Sequence, residues 1–215
     1  MKLRVPIRGT ISAVALAAML LSGCTSGGAD APAPDPTSSP PQATIDWENR
    51  PQSTVALDGG FGVKACPGDA PFLCVERDGT VVGQIEYFSF EEPAGGGEDT
   101  LRNHVDEDYN TFRSDREGCS EGFEVETVEP ETAQVAGEEG LRSEYSVVNA
   151  DGDTVERYVK YWALSDGRVH LLAAEAQEEG TCSPSEGTPF TAGGLEEFES
   201  SFEVLAERSR FPAGG

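Results

Sequence analysis

The chain has 215 residues, of which 15 are Lys or Arg and 39 are Asp or Glu, giving a net charge of −24. A surface that negative repels DNA, RNA and anionic headgroups, all of which need a basic footprint, so nucleic-acid binding is excluded as a function class. The N-terminus carries Lys2, Arg4 and Arg8, then an apolar run from Ile11 to Leu21, then the small-residue exit Leu21-Ser22-Gly23-Cys24. Charged start, short apolar middle and small exit are the parts of a secretory signal peptide. The apolar run is about a dozen residues, short of the roughly 20 that span a bilayer as a helix, so residues 1–23 are expected to be an export leader.

Leu21-Ser22-Gly23-Cys24 resembles the bacterial lipobox, in which the cysteine thiol receives a diacylglyceryl group before cleavage in front of it. The resemblance implies a mature chain that begins at a lipidated Cys24. Two acyl chains hold a protein stably on a membrane where one does not. The expected location is therefore the outer face of the cytoplasmic membrane. Residues 24–54 read as a Pro/Ser/Gly tether, because Thr25 to Pro41 has nothing apolar to bury against the entropy of ordering it. The layout and the Lys-poor, Gly-rich composition resemble lipoproteins of high-GC actinobacteria. Losing Lys2, Arg4 and Arg8 with the leader leaves 12 basic residues against 39 acidic ones, a net charge of about −27.

From Val55 to Phe211 the chain reads as one globular domain of alternating apolar segments. Phe61 to Ala65, Phe72 to Glu76 and Thr80 to Phe90 are expected strands. After Gly95 to Gly97, Asp99 or Thr100 is the expected N-cap of a helix with Leu101, Val105, Tyr109 and Phe112 on one face. Alternation returns in Phe123 to Val128, Thr132 to Ala136, Gly140 to Val148, Thr154 to Leu164 and Arg168 to Ala176. Asp151-Gly152 and Asp166-Gly167 are the expected turns of the final meander. Tyr158, Trp162 and Leu164 alternate with Val159, Tyr161 and Ala163, so that strand is bulky on both faces and must be covered on both. Leu195, Phe198, Phe202 and Leu205 mark a terminal helix. The expected fold is α+β, an antiparallel sheet with helices on both faces, a three-layer α/β/α sandwich.

The four cysteines other than Cys24 are even in number in an exported domain, which points to disulfides with three possible pairings. Cys66–Cys74, around Pro67 to Pro71, and Cys119–Cys182 are the preferred pairs. They close loops worth about 2.5 and 4 kcal/mol in a chain-entropy account. A zinc site is disfavoured by the absence of CxxC spacing. Asn149 to Thr154 offers alternating oxygen ligands, yet Thr154 and Lys160 stand where a calcium loop needs Gly and Glu, so no metal is expected.

The order of hairpin, helix, meander and closing helix, ending in Phe198-Glu199-Ser200-Ser201-Phe202, resembles the PsbP-like sandwich of the photosystem protein and of actinobacterial lipoproteins of the LpqN type. Cystatin-like folds are the competing architecture. The resemblance implies a binding or assembly role and carries over no site residue or cofactor. Neither His104 nor His170 lies in a recognisable motif, and the nucleophile-elbow, zincin, phosphate-loop and dinucleotide signatures are all absent from the sequence. The expected function is thus a non-catalytic, monomeric binding or accessory lipoprotein of the cell envelope. The alternatives are an envelope hydrolase with a scattered site and a small-ligand or cation-binding lipoprotein. The membrane is one expected partner and an envelope protein or small ligand another. Trp47, Tyr158 and Trp162 are the candidate contact residues, since aromatics supply contact area with a polar handle.

Overall fold

The structure of the protein, a computed structural model, describes residues 43–68, 71–92, 98–117, 123–177 and 188–213. The leader, Cys24, the tether through residue 42, Gly95 to Gly97, Cys119 and Cys182 lie outside the described residues, and the Cys119–Cys182 pairing with them. The chain runs through β1 (Ile45–Asp46), β2 (Val55–Ala56), β3 (Phe61–Ala65), β4 (Phe72–Arg77) and β5 (Thr80–Glu91) into helix α1 (Glu98–Glu117). It continues through β6 (Glu124–Val135), β7 (Glu138–Val148), β8 (Thr154–Ser165) and β9 (Arg168–Gln177) to helix α2 (Ala192–Arg208) and β10 (Ser209–Arg210).

Eight strands form one antiparallel sheet in the order β2-β3-β4-β5-β9-β8-β7-β6. Tight turns at Asp78-Gly79, Ala136-Gly137 and Asp166-Gly167 place both central residues at positive φ, the turn geometry whose twist suits paired strands. The chain leaves the sheet centre after β5, crosses one face as α1, and re-enters at the far edge as β6. The meander then returns strand by strand until β9 pairs with β5. Cys66 and Cys74 are joined across the β3–β4 hairpin.

The two faces are covered by different helices, which makes a three-layer α/β/α sandwich. On one face α2 buries Leu195, Phe198, Phe202 and Leu205 completely. Phe198 packs against Phe61 and Phe190 at 5.1 Å, and Phe202 meets Tyr161 edge-on at 4.9 Å. Thr191 caps α2 by accepting the Gly194 amide at 3.1 Å, satisfying one orphan donor of the first turn. On the other face α1 lays Leu101 and Val105 over Leu141, Trp162 and Val169. The double-sided β8 is the reason: Tyr158 and Trp162 face α1 while Val159, Tyr161 and Ala163 belong to the α2 core.

Three expectations are corrected. The tether read as residues 24–54 does not extend to Val55: Ile45 is fully buried, Trp47 nearly so, and β1 pairs in parallel with β10. Phe123 to Val128 and Thr132 to Ala136 are one strand, β6, whose register shifts between Val128 and Glu131; Pro130 cannot donate to the ladder and sits in that irregularity on an edge strand. Helix α1 starts at Glu98, so Asp99 and Thr100 lie inside its first turn. The turn expected at Asp151-Gly152 lies where expected, in the connection 149–153, held by the Asn149 side-chain oxygen, which accepts the Asp151 and Asp153 amides at 3.0 and 2.9 Å.

One glycine is dictated by packing. A Cβ on Gly140 of β7 would stand 2.1 Å from the Trp162 carbonyl oxygen, so no other residue fits there without moving β8. That contact holds β7 close to the strand on which the candidate site is built.

Candidate functional site

Because α1 crosses the sheet over β6, β7 and β8 and reaches only the start of β9 at Val169, the same face is left partly open over the rest of β9 and over β5. A cleft of about 660 Å³ lies there, within the size range of small-molecule sites. Its floor is Trp162 from β8 and Leu171 and Ala173 from β9, and one wall is Phe88 and Phe90 from β5. The opposite wall is the flank of α1 that carries His104, Glu107, Asp108 and Thr111. Phe88 and Phe90 stay 46% and 38% exposed, a large apolar area to leave in water, and both alternate onto the cleft side of β5.

The polar groups at the inner end are tied together. The Lys160 ammonium lies 3.0 and 2.7 Å from the two Asp108 oxygens, and its nitrogen stands 4.9 Å from the centre of the Tyr145 ring. The Tyr145 hydroxyl also donates to Asp108. Burial, reinforced by the Asp108 charge, pushes the Tyr145 phenol well above its usual range. Below it, Arg116 donates to Glu156 at 2.9 Å and to the Tyr158 hydroxyl at 3.0 Å, and Tyr158 donates to Glu156 at 2.8 Å. Burial likewise raises the Tyr158 phenol, with the charges of Glu175 and Glu156 adding to it. Both phenols therefore remain protonated donors, already engaged by carboxylates. At the outer end His104 pairs through Nε2 with Glu92 at 2.7 Å and meets the Phe90 ring edge-on.

The three expected contact residues separate. Tyr158 and Trp162 come together in the cleft, although each is nearly buried and the Trp162 indole N–H is spent on Ser143 at 2.9 Å. Trp47 lies elsewhere, on the opposite core, stacked on Tyr87 at 5.1 Å with its indole N–H donated to Ser209 at 3.0 Å. Phe88, Phe90, Asp108 and Lys160 were not legible as a site. Phe88 and Phe90 share the alternation of any half-buried strand, and Asp108 meets Lys160 only through the crossing of α1. Among the described residues no group of three or more His, Cys, Asp or Glu side chains is arranged to hold a metal ion. Among the same residues no helix is long and apolar enough to cross a membrane.

His170 stands outside the cleft, 1% exposed, its ring stacked 4.3 Å from Phe211 and its Nδ1 2.9 Å from the Tyr87 hydroxyl. Burial holds its pKa below the usual histidine value. A base whose folded pKa is depressed costs nothing while both states are neutral. It destabilises the fold once the unfolded chain takes up the proton. Stability is therefore expected to decline as pH falls from about 6.5 toward the depressed folded value, and His170→Phe should flatten that segment of the curve. Thermal melts between neutral and mildly acidic pH check it; an unchanged slope in the variant would locate the titration in other groups.

No protein-family model matches the chain, and no curated protein matches it. Among solved structures, the solution structure of cyanobacterial PsbP (CyanoP) from Synechocystis sp. PCC 6803 is similar to it at 11% identity and a TM-score of 0.44, covering 71% of this chain and 88% of that one. The likeness is a weak and partial one to the PsbP-like fold. The three-layer assignment here follows from the strand order and the placement of α1 and α2.

Proposed function

We propose that the protein is a lipid-anchored module on the outer face of the cytoplasmic membrane that binds a ligand without transforming it, serving as a binding or accessory unit of the cell envelope. The observation that carries the binding part is the α1–sheet cleft, with an apolar floor and two exposed phenylalanines that have no packing reason to face water. The non-catalytic part is supported by Tyr145, Lys160 and Asp108, whose polar atoms are committed to one another, and by Tyr158, whose hydroxyl is committed to Glu156 and Arg116. The anchor is supported by the charged leader and by Leu21-Ser22-Gly23-Cys24.

The test is to purify the protein from its own membranes beside a Cys24→Ser form, and to examine both by native mass spectrometry. Acyl mass on the parent and release of Cys24→Ser from the membrane fraction are expected. A non-covalent small molecule should be retained by the parent and lost on Phe88→Ser with Phe90→Ser. An unlipidated parent refutes the anchor, and a parent whose retained species ignores the cleft substitutions refutes the binding site.

One observation favours a hydrolase instead, namely the His104–Glu92 pair at the cleft margin, since a carboxylate orients a histidine base. Ester or amide turnover abolished by His104→Gln would establish that reading.

A further inference from the structure

The charges lining the cleft define what it accepts. Every Lys and Arg beyond residue 42 lies among the described residues, and of these Lys160 alone lines the cleft. Against it stand the carboxylates of Glu86, Glu107, Asp108 and Glu175. The lining is therefore net negative whichever form His104 takes, and the whole chain adds a negative field of its own. Fatty acids, alkyl sulfates and anionic lipids pay a repulsion on entering that an uncharged amphiphile does not and a cation reverses.

The interior already contains such a complex in miniature. The Lys160 ammonium is held by a carboxylate, Asp108, while the Tyr145 and Tyr158 rings lie 4.9 and 6.0 Å from it. Aromatic faces attract cations through the ring quadrupole, and do so more strongly where water is excluded. The mouth sets rings and a carboxylate close together in a similar way: the Phe88 and Phe90 rings on β5, with Glu107 across on α1.

We infer that the cleft selects an organic cation with an apolar body, an alkyl- or arylammonium, whose body covers Trp162 and Leu171 and whose charge meets Phe88, Phe90 and the Glu107 carboxylate. This rests on the reading of the cleft as a ligand site and adds the class of ligand.

The experiment is calorimetric titration of the full mature chain carrying Cys24→Ser with three probes of one chain length: octyltrimethylammonium, octyl glucoside and octanoate, each below its micelle concentration. The ammonium is expected to bind with a Kd about ten-fold lower than the glucoside, and octanoate more weakly than either. Glu107→Gln, exposed on α1, should weaken the ammonium about three-fold and leave the glucoside unchanged. Phe88→Ser with Phe90→Ser should abolish binding of all three, with thermal melts showing that the variant is folded. Equal affinity for ammonium and glucoside, or tighter binding of octanoate, overturns the cation inference while the ligand site stands. No binding of any probe at millimolar concentration, or binding that survives the double phenylalanine substitution, overturns both.

Discussion

Replacing Arg116 with methionine should cost about 3–5 kcal/mol of folding stability, because the change leaves a carboxylate buried without its charge partner. Glu156 is 2% exposed and Arg116 8%, so water does not screen either. Arg116 approaches Glu156 through both Nε and Nη2 at 2.9 Å, reaches the Tyr158 hydroxyl, and rests its guanidinium 4.4 Å from the centre of the Phe112 ring. The pair ties the last turn of α1 to β8, and α1 is a wall of the cleft. Ligand affinity should fall together with stability for that reason. The double variant Arg116→Met with Glu156→Gln should recover most of the loss, since a neutral amide still accepts from Tyr158 and no charge is stranded. Urea denaturation of the two single variants and the double closes the cycle. A cost below about 1 kcal/mol for Arg116→Met would mean that the pair behaves as a solvated one.

That network also marks where sequence reading stops. Alternation exposed β8 as a strand covered on both faces, and with the two helices expected from their own spacings this implied helices on opposite sides of one sheet. The strand and helix spacings at Phe61 to Ala65 and at Leu195 to Leu205 were equally legible, because each pattern is local and each period is distinct. The partners of Arg116 and Lys160 were not. Glu156 is 40 residues from Arg116 and Asp108 is 52 from Lys160, and each pair forms only because α1 crosses from the sheet centre to its far edge. In a chain with 39 acidic residues no carboxylate announces its partner. The cleft is a product of the same crossing. Tyr158 and Trp162 were identifiable as aromatic candidates, but nothing in their spacing distinguished a floor roofed by helix from one left open. Phe88 and Phe90 line the cleft only because α1 leaves them partly uncovered.

The start of the domain was misplaced for a different reason, and Trp47→Ala is the substitution that measures it. β1 is two residues long, too short for any periodicity, and its partner is Ser209–Arg210 at the other end of the chain. Trp47 follows it directly and is sealed by that pairing. Its amide donates to the Arg210 carbonyl at 3.0 Å, its indole N–H to Ser209, and its ring stacks on Tyr87, which in turn stacks on Phe211 at 5.6 Å. Ser209 passes the constraint on by donating to the Leu205 carbonyl in the last turn of α2 at 2.9 Å. Truncation of a ring so placed opens a cavity and orphans the Ser209 contact, and should cost about 3–5 kcal/mol. Trp47→Phe keeps a stacking ring and loses the N–H bond, so its cost should be smaller, about 1–2 kcal/mol. A tryptophan serving only as a partner contact at the end of a tether would show neither effect, and Trp47→Ala would then melt with the parent. The graded loss, read by denaturant unfolding of the Cys24→Ser chain, would place the start of the folded unit at or before Ile45. On the proposed lipid anchoring, the segment left to serve as a tether would then be about ten residues shorter than composition suggests.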